Sequence, residues 1–84
     1  EADFYLPIVH AESDFKKPLQ VDDPLELHLR VEHMGFSSYT LFHDIRNAGG
    51  ETVGTVRTVH VVVDKKTGQK TAIPEKLRTA LAAL

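Results

Sequence analysis

Leu25, Leu27, Leu29 and Val31 alternate with Glu26, His28, Arg30 and Glu32. A period of two places the four apolar side chains on one face of an extended chain and the four polar ones on the other, so this segment is a strand with one buried face and not a helix. A weaker alternation precedes it: Val9, Ala11, Ser13 and Phe15 fall on one side and Ile8, His10, Glu12 and Asp14 on the other. Pro18, which has no N–H to give a ladder, ends or edges that first strand. The intervening "VDDPL" is turn chemistry, with two aspartates ahead of Pro24.

After a tight loop at "HMGF" the pattern predicts a third strand over 37–46. A three-residue loop, 34–36, sets Val31 opposite Tyr39, Leu29 opposite Leu41 and Leu25 opposite Ile45, so that the apolar sets coincide. A two-residue loop sets the leucines against Thr40 and Asp44 and is rejected for that reason. "NAGG" is a turn, since Asn47, Gly49 and Gly50 tolerate positive φ, and the next strand runs over 52–64. Its end, "VHVVVD", is apolar on both faces apart from His60, the pattern of a strand covered on both sides. "DKKTGQK" turns towards a short final strand over 69–73. Pro74 suits the first position of a helix, with Leu77, Ala80, Leu81 and Leu84 following at helical spacing for about three turns.

The expected architecture is α+β: four long antiparallel strands, at most one short fifth, and one short C-terminal helix. Such a sheet must bury its apolar face against a second layer. Each strand offers three to five core-sized side chains, each worth roughly 1.5–3 kcal/mol when buried. A terminal helix of three turns covers only part of that area, so the missing layer comes from a second copy, a partner or further polypeptide.

At 84 residues, 42% of them hydrophobic, the chain has room for one small domain and not for two. No apolar run approaches the ~20 residues of a membrane-spanning helix, and no basic-then-apolar leader opens the chain, so no membrane association is expected. The lack of cysteine removes disulfides, thiolate nucleophiles and cysteine-ligated zinc, and points to the cytoplasm. A formal charge of −2, with the basic residues spread among acids, gives no concentrated basic surface for nucleic acid.

Read in order, "LPIVHAESDFKKPL", "DDPLELHL", "GFSSYTLFHDI", "TVRTVHVVVD" and "TGQKTAIPEKL" resemble the hotdog-fold acyl-CoA thioesterases of the 4-hydroxybenzoyl-CoA thioesterase superfamily, over nearly the whole chain. Each motif is a sheet pattern with turns; their order and spacing carry the likeness. Asp22 departs from it, standing where the family usually has glycine. The resemblance implies a hotdog-type antiparallel sheet curled around a long central helix. It also implies that the family's first strand and that helix belong before the segment matching "LPIVH". Residues 1–84 are thus expected to be a single partial hotdog domain.

The same resemblance implies hydrolysis of acyl-CoA by water to free acid and CoA, without metal or redox cofactor, in a homodimer or homotetramer with sites at subunit interfaces. Thioester hydrolysis needs an oxyanion donor and a carboxylate acting as base or nucleophile. The family takes these from the start of the central helix and from an acid beside or on it, so no catalytic residue is assigned within this chain. His10 and His60 lie in matching stretches and are candidates for lining the substrate region, or are strand histidines bonded to neighbours. Ser37 and Ser38 match the family's serine pair. Lys70 fits a basic position in the last hairpin that would attract the phosphates of coenzyme A, with Lys16, Lys17, Lys65 and Lys66 as further candidates. Phe36 stands where a basic residue would be expected before the serines.

Glu12 and Asp14 read either as an acid pair or as a solvated face. The five histidines lack the acid or cysteine spacing of a zinc site. A non-catalytic hotdog-like module that binds an acyl group or serves assembly is the alternative to the enzyme. A hotdog dehydratase lacks its histidine signature here.

Overall fold

The computed structural model describes residues 3–18, 22 and 24–84. The chain runs β1 (Phe4–Tyr5), β2 (Ile8–Phe15), β3 (Leu25–Met34), β4 (Ser38–Asn47), β5 (Thr52–Val61), β6 (Val63–Asp64) and α1 (Glu75–Ala82). The four long strands form one antiparallel sheet in the order β2-β5-β4-β3, and β1 pairs with β6 in a two-stranded ribbon. The α+β class and the four long strands are as the alternation predicts. The turn expected at "VDDPL" lies partly outside the described residues.

The β3–β4 hairpin differs from the expected register. The turn is tighter: the Gly35 amide donates to the Ser38 carbonyl (2.8 Å), leaving Phe36 and Ser37 at its tip. Such a turn alone would set leucines against polar residues. A bulge between Val31 and His33 takes up one residue and brings the apolar sides together, pairing Val31 with Leu41 and Leu27 with Ile45, with Leu29 opposite the polar His43. Glu32 is the residue left over. A bulge between Ile8 and His10 acts likewise on β2, so Ile8, opposite His60, joins the side occupied by Ala11, Ser13 and Phe15. The expected grouping of Ile8 with His10 is corrected accordingly.

The strand expected over 52–64 breaks at Val62, which is fully buried. Its amide donates to the Ser37 carbonyl (2.8 Å) and its carbonyl accepts from Thr71 (3.0 Å), so both backbone groups leave the main ladder. β6 then turns away to meet β1, a two-residue strand too short to show in the alternation. The short strand expected over 69–73 is reduced to a single bridge between Val63 and Lys70.

Two turns follow their sequence chemistry; at the later one Asp64 Oδ1 accepts from the amides of Lys66 (2.7 Å) and Thr67 (3.1 Å). The Asn47 side-chain oxygen accepts from the amides of Gly49 and Glu51, both at 3.0 Å. Gly50 takes the positive φ of 84° that closes this loop.

Helix α1 has eight residues, about two turns and not three, and Pro74 caps it from outside. Its Leu81, with Ile73, Tyr39 and Val62, forms the buried core, flanked by Phe4, Val31, Met34, Leu41 and Leu77. This core sits under one end of the sheet. Beyond the reach of α1 the same face lies open: Leu25 is 46% exposed, Leu27 61% and Phe15 56%. Burying each is worth roughly 1.5–3 kcal/mol, and within these residues that stabilisation is not realised.

Candidate functional site

Residues directly opposite one another in a ladder share a face. The pairings therefore place Leu27, Leu29, Leu41, Ile45, Val56 and Ala11 together on the open apolar face. Besides Ser13, which is opposite Val56, three linked polar side chains interrupt it. His43 Nε2 lies 3.4 Å from Thr58 Oγ1, and the same hydroxyl lies 2.9 Å from His60 Nε2. The chain of three runs obliquely across β4 and β5. The His60 ring also stacks on Tyr39, with centroids 4.9 Å apart and planes within 3°.

Burial pushes the His60 imidazole below its ordinary value of 6.5; a hydrogen bond to the Leu6 backbone opposes the shift and the nearby His43 adds to it. Burial likewise raises the Tyr39 hydroxyl above its ordinary range.

The other face of the sheet is polar and tied up in ion pairs. Arg57 Nη1 donates to Glu12 (3.0 Å) and its Nη2 to Glu32 (2.8 Å). The Phe42 ring lies under two guanidinium groups, Arg30 at 4.4 Å and Arg57 at 5.1 Å from its centroid. Glu12, Asp14, Phe42, Thr55 and Arg57 line a shallow depression there. Asp14 pairs with Lys16 at 3.3 Å. Glu12 and Asp14 are thus engaged with cations on a solvated face, and not with each other.

The structure separates the residues singled out from sequence into two groups. Ser37, Ser38 and Lys70 gather at the end of the sheet where α1 packs. Ser37 meets Val62 through its carbonyl, Ser38 pairs with Val61, and Lys70 bridges Val63. His60 lies at that end too, opposite Tyr39 on the open face. His10 is opposite Val59, on the polar side, where it approaches Glu12 at 3.6 Å. It is not brought to His60. Lys16 and Lys17 are far along the sheet, where Lys17 pairs with Glu51 at 2.6 Å. At the Ser37 end, Lys65 lies 5.4 Å from the Tyr5 ring centroid, and no carboxylate among the described residues is ion-paired to Lys65, Lys66 or Lys70.

Sequence reasoning did not single out Thr58, or His43 for any role but metal. The two-residue spacing of Thr58 and His60 puts them on one side of a strand and was available as a signal. The placement of His43 beside them depends on strand register. Among the described residues no group of histidines and acids is arranged to hold a metal ion. No helix among them is long and apolar enough to cross a membrane.

An antiparallel sheet with one open apolar face, polar groups set into that face and a short terminal helix is the sheet portion of a hotdog-type thioesterase fold. Residues 1–81 match the Thioesterase-like superfamily, and the chain belongs to it. It is similar to a 1,4-dihydroxy-2-naphthoyl-CoA hydrolase of Synechococcus elongatus, at 32% identity over 87% of this chain and 53% of the relative. A hydrolase of the same description from Prochlorococcus marinus is 31% identical over 92% of this chain and 51% of the relative. The chain thus spans about half the length of these curated relatives.

Among solved structures, a protein of Pseudomonas aeruginosa strain PAO1 superposes with a TM-score of 0.90 at 32% identity, over 100% of this chain and 59% of its own. A 1,4-dihydroxy-2-naphthoyl-CoA thioesterase from Synechocystis superposes at 0.87 with 28% identity, over 98% and 61%.

Proposed function

We propose that the protein carrying this chain hydrolyses an acyl-CoA thioester to the free acid and coenzyme A. The observation that carries the reading is the superposition of 98% of this chain, with a TM-score of 0.87, on the Synechocystis thioesterase. The open apolar face supports it: Leu25, Leu27 and Leu29 form a continuous row suited to a covering layer and to the acyl group held beneath that layer. Thioesterase chemistry requires a carboxylate and an oxyanion donor, which this reading places in that covering layer. Glu12 and Asp14, already paired with Arg57 and Lys16, do not supply the carboxylate.

Coenzyme A enters at the Ser37 end in this reading. The ammonium groups of Lys65, Lys66 and Lys70 attract its phosphates there, and Ser37 and Ser38 offer hydroxyls to it. His60 lines the acyl region on the open face. Two or four copies assemble to complete the sites, in the cytoplasm, where a chain without cysteine is at no disadvantage.

The test is thiol release from a panel of aromatic and aliphatic acyl-CoAs by the protein carrying this chain together with its flanking sequence. Turnover of one or more is expected. Binding of acyl-CoA without turnover would overturn the enzyme and leave a non-catalytic acyl-binding module. The 84 residues alone are expected to give little or no turnover; clear activity lost on replacing an acid within them would place the carboxylate here instead.

A further inference from the structure

Three successive carbonyls at the tip of the β3–β4 hairpin are taken by donors from the C-terminal part of the chain. Ser37 accepts from the Val62 amide (2.8 Å) and Phe36 from the Ile73 amide (2.9 Å). Gly35 accepts from Arg78 Nη2 at 2.8 Å, so one of the three donors is a side chain. The Phe36 side chain adds little packing, being 76% exposed. The tip is therefore placed by these bonds, together with the bond from the Gly35 amide to the Ser38 carbonyl that closes the turn.

Arg78 reaches Gly35 because of where α1 starts. Its amide donates to the Pro74 carbonyl (2.9 Å), which sets Arg78 one helical turn beyond the residue that follows Ile73. Leu77 and Leu81 seat the same helix on the core and so fix the root of the arginine. Among the described residues no carboxylate pairs with its guanidinium. A charged donor makes a stronger bond to a carbonyl than a neutral one, and the planar fork fixes direction as well as distance.

The tip held in this way carries both serines. Ser38 opens β4 opposite Val61, and the amides of Phe36 and Ser37 just before it meet no backbone acceptor among the described residues. These donors stand at the end of the sheet that also carries Lys70, opposite Val63.

We propose that Arg78 is a positioning residue for coenzyme A: by holding the Gly35 carbonyl it fixes the 35–38 tip, so that the Ser37 hydroxyl and the amides of Phe36 and Ser37 are in place to donate to the phosphates. The proposal rests on the reading of this end of the sheet as the coenzyme A entrance; the anchoring of the tip rests on geometry alone. Donors fixed before the ligand arrives bind it more tightly than donors that must first be ordered. Contacts to the nucleotide act alike on bound substrate and transition state, so loosening them raises KM and spares kcat.

Two measurements test it, both on the protein carrying this chain with its flanking sequence. The variants are Arg78→Met, which keeps much of the stem and removes the donors, and Arg78→Lys, which keeps a cation near the carbonyl. An acyl group that is turned over is offered on CoA and on pantetheine, which lacks the nucleotide and all the phosphates. Arg78→Met is expected to raise KM for acyl-CoA about 10-fold, with kcat and the constants for acyl-pantetheine within about twofold, and Arg78→Lys to recover most of the loss. Equal losses on the two thioesters, or a fall in kcat with KM unchanged, would overturn the proposal and leave thioester hydrolysis intact. Absence of hydrolysis would end the thioesterase reading instead; the Kd of CoA by calorimetry then replaces KM, and a Kd that Arg78→Met leaves unchanged, or no binding at all, would overturn the proposal.

The second measurement is amide hydrogen exchange, which reads the anchoring without any substrate. Arg78→Met should speed exchange at Gly35 and Ile73 about 10-fold and leave Thr58, in the middle of β5, at its original rate. Unchanged rates at Gly35 and Ile73 would show that Arg78 does not hold the tip. An equal rise at all three would mark general destabilisation and would overturn the proposal as well.

Discussion

Arg57 and Glu32 meet across an intervening strand: the guanidinium, on β5, passes over Phe42 of β4 and donates from Nη2 to the Glu32 carboxylate on β3 at 2.8 Å. The same guanidinium holds Glu12 on β2 at 3.0 Å, so one side chain ties both edge strands of the sheet to its centre. Glu32 lies at the β3 bulge, on the same polar side as Arg30. Arg57→Met, which keeps much of the stem over Phe42 and removes both ion pairs, should lower the denaturation midpoint. The deficit should shrink in high salt, because these groups are solvent-facing and screened. A salt-independent deficit would point to lost packing instead.

Two sets of groups make stability fall with acid, in separate windows. Hydrogen bonds from Arg57 hold Glu12 and Glu32 below their ordinary 4.5, Thr52 and then Arg46 hold Asp44 below 3.8, and Lys17 and then Asn47 hold Glu51 below 4.5. Their folded pKa values lie under the unfolded ones. The stability they contribute is present above the unfolded values and is lost as pH falls through the folded ones. His60 is also depressed, by burial, from 6.5. The unfolded chain takes up its proton first, so stability begins to drop as pH falls below about 6.5 and stops dropping once the folded ring is protonated. Thermal midpoints across the acid range should show both steps. His60→Gln should erase the upper one and spare the lower.

Gly54 and Phe15 are opposite one another on β5 and β2, and the ring covers the glycine so closely that a Cβ there would meet Phe15 Cδ1 at 2.5 Å. Gly54→Ala should cost about 1 kcal/mol, at the low end for overpacking, because the half-exposed ring can swing aside. In the Phe15→Ala background the same change should cost nothing or stabilise the strand, since glycine is otherwise unfavourable in a strand interior. Chemical denaturation of the two single variants and the double variant measures the coupling. Additive effects would show that the ring does not rest on Gly54.

The uncovered leucines predict how the 84 residues behave alone. With Leu27 61% exposed and Leu25 46% exposed, the isolated polypeptide should self-associate, and Leu27→Glu should reduce that association in light scattering. In the protein carrying the covering layer the same substitution should destabilise by several kcal/mol, because it would bury a charge. An isolated chain that stays monomeric with Leu27 unaltered would contradict the reading of this face.

Much of this molecule was legible from residue pattern alone. The alternation over Leu25–Met34, the Asn47 and Asp64 turns and the leucine spacing of α1 come from short-range physics: side-chain period, turn-compatible residues and helix spacing. The presence of four long antiparallel strands and one terminal helix followed from them, as did the excess of apolar surface over what that helix can cover.

The site was not legible in the same way, because it depends on three bulges. One lies between Ile8 and His10, one between Val31 and His33, and one where the β4–β5 pairing shifts between Ile45 and Arg46. Each inserts one residue on one strand, and because the side-chain period is two, each exchanges the faces that meet beyond it. The first puts Ile8 beside His60, away from the side that His10 shares with Glu12; the last brings His43 to Thr58. Sequence determined which segments are strands and which side chains are apolar. Only the assembled sheet decided which faces coincide, since the energy of a bulge is settled by contacts on strands distant in the chain.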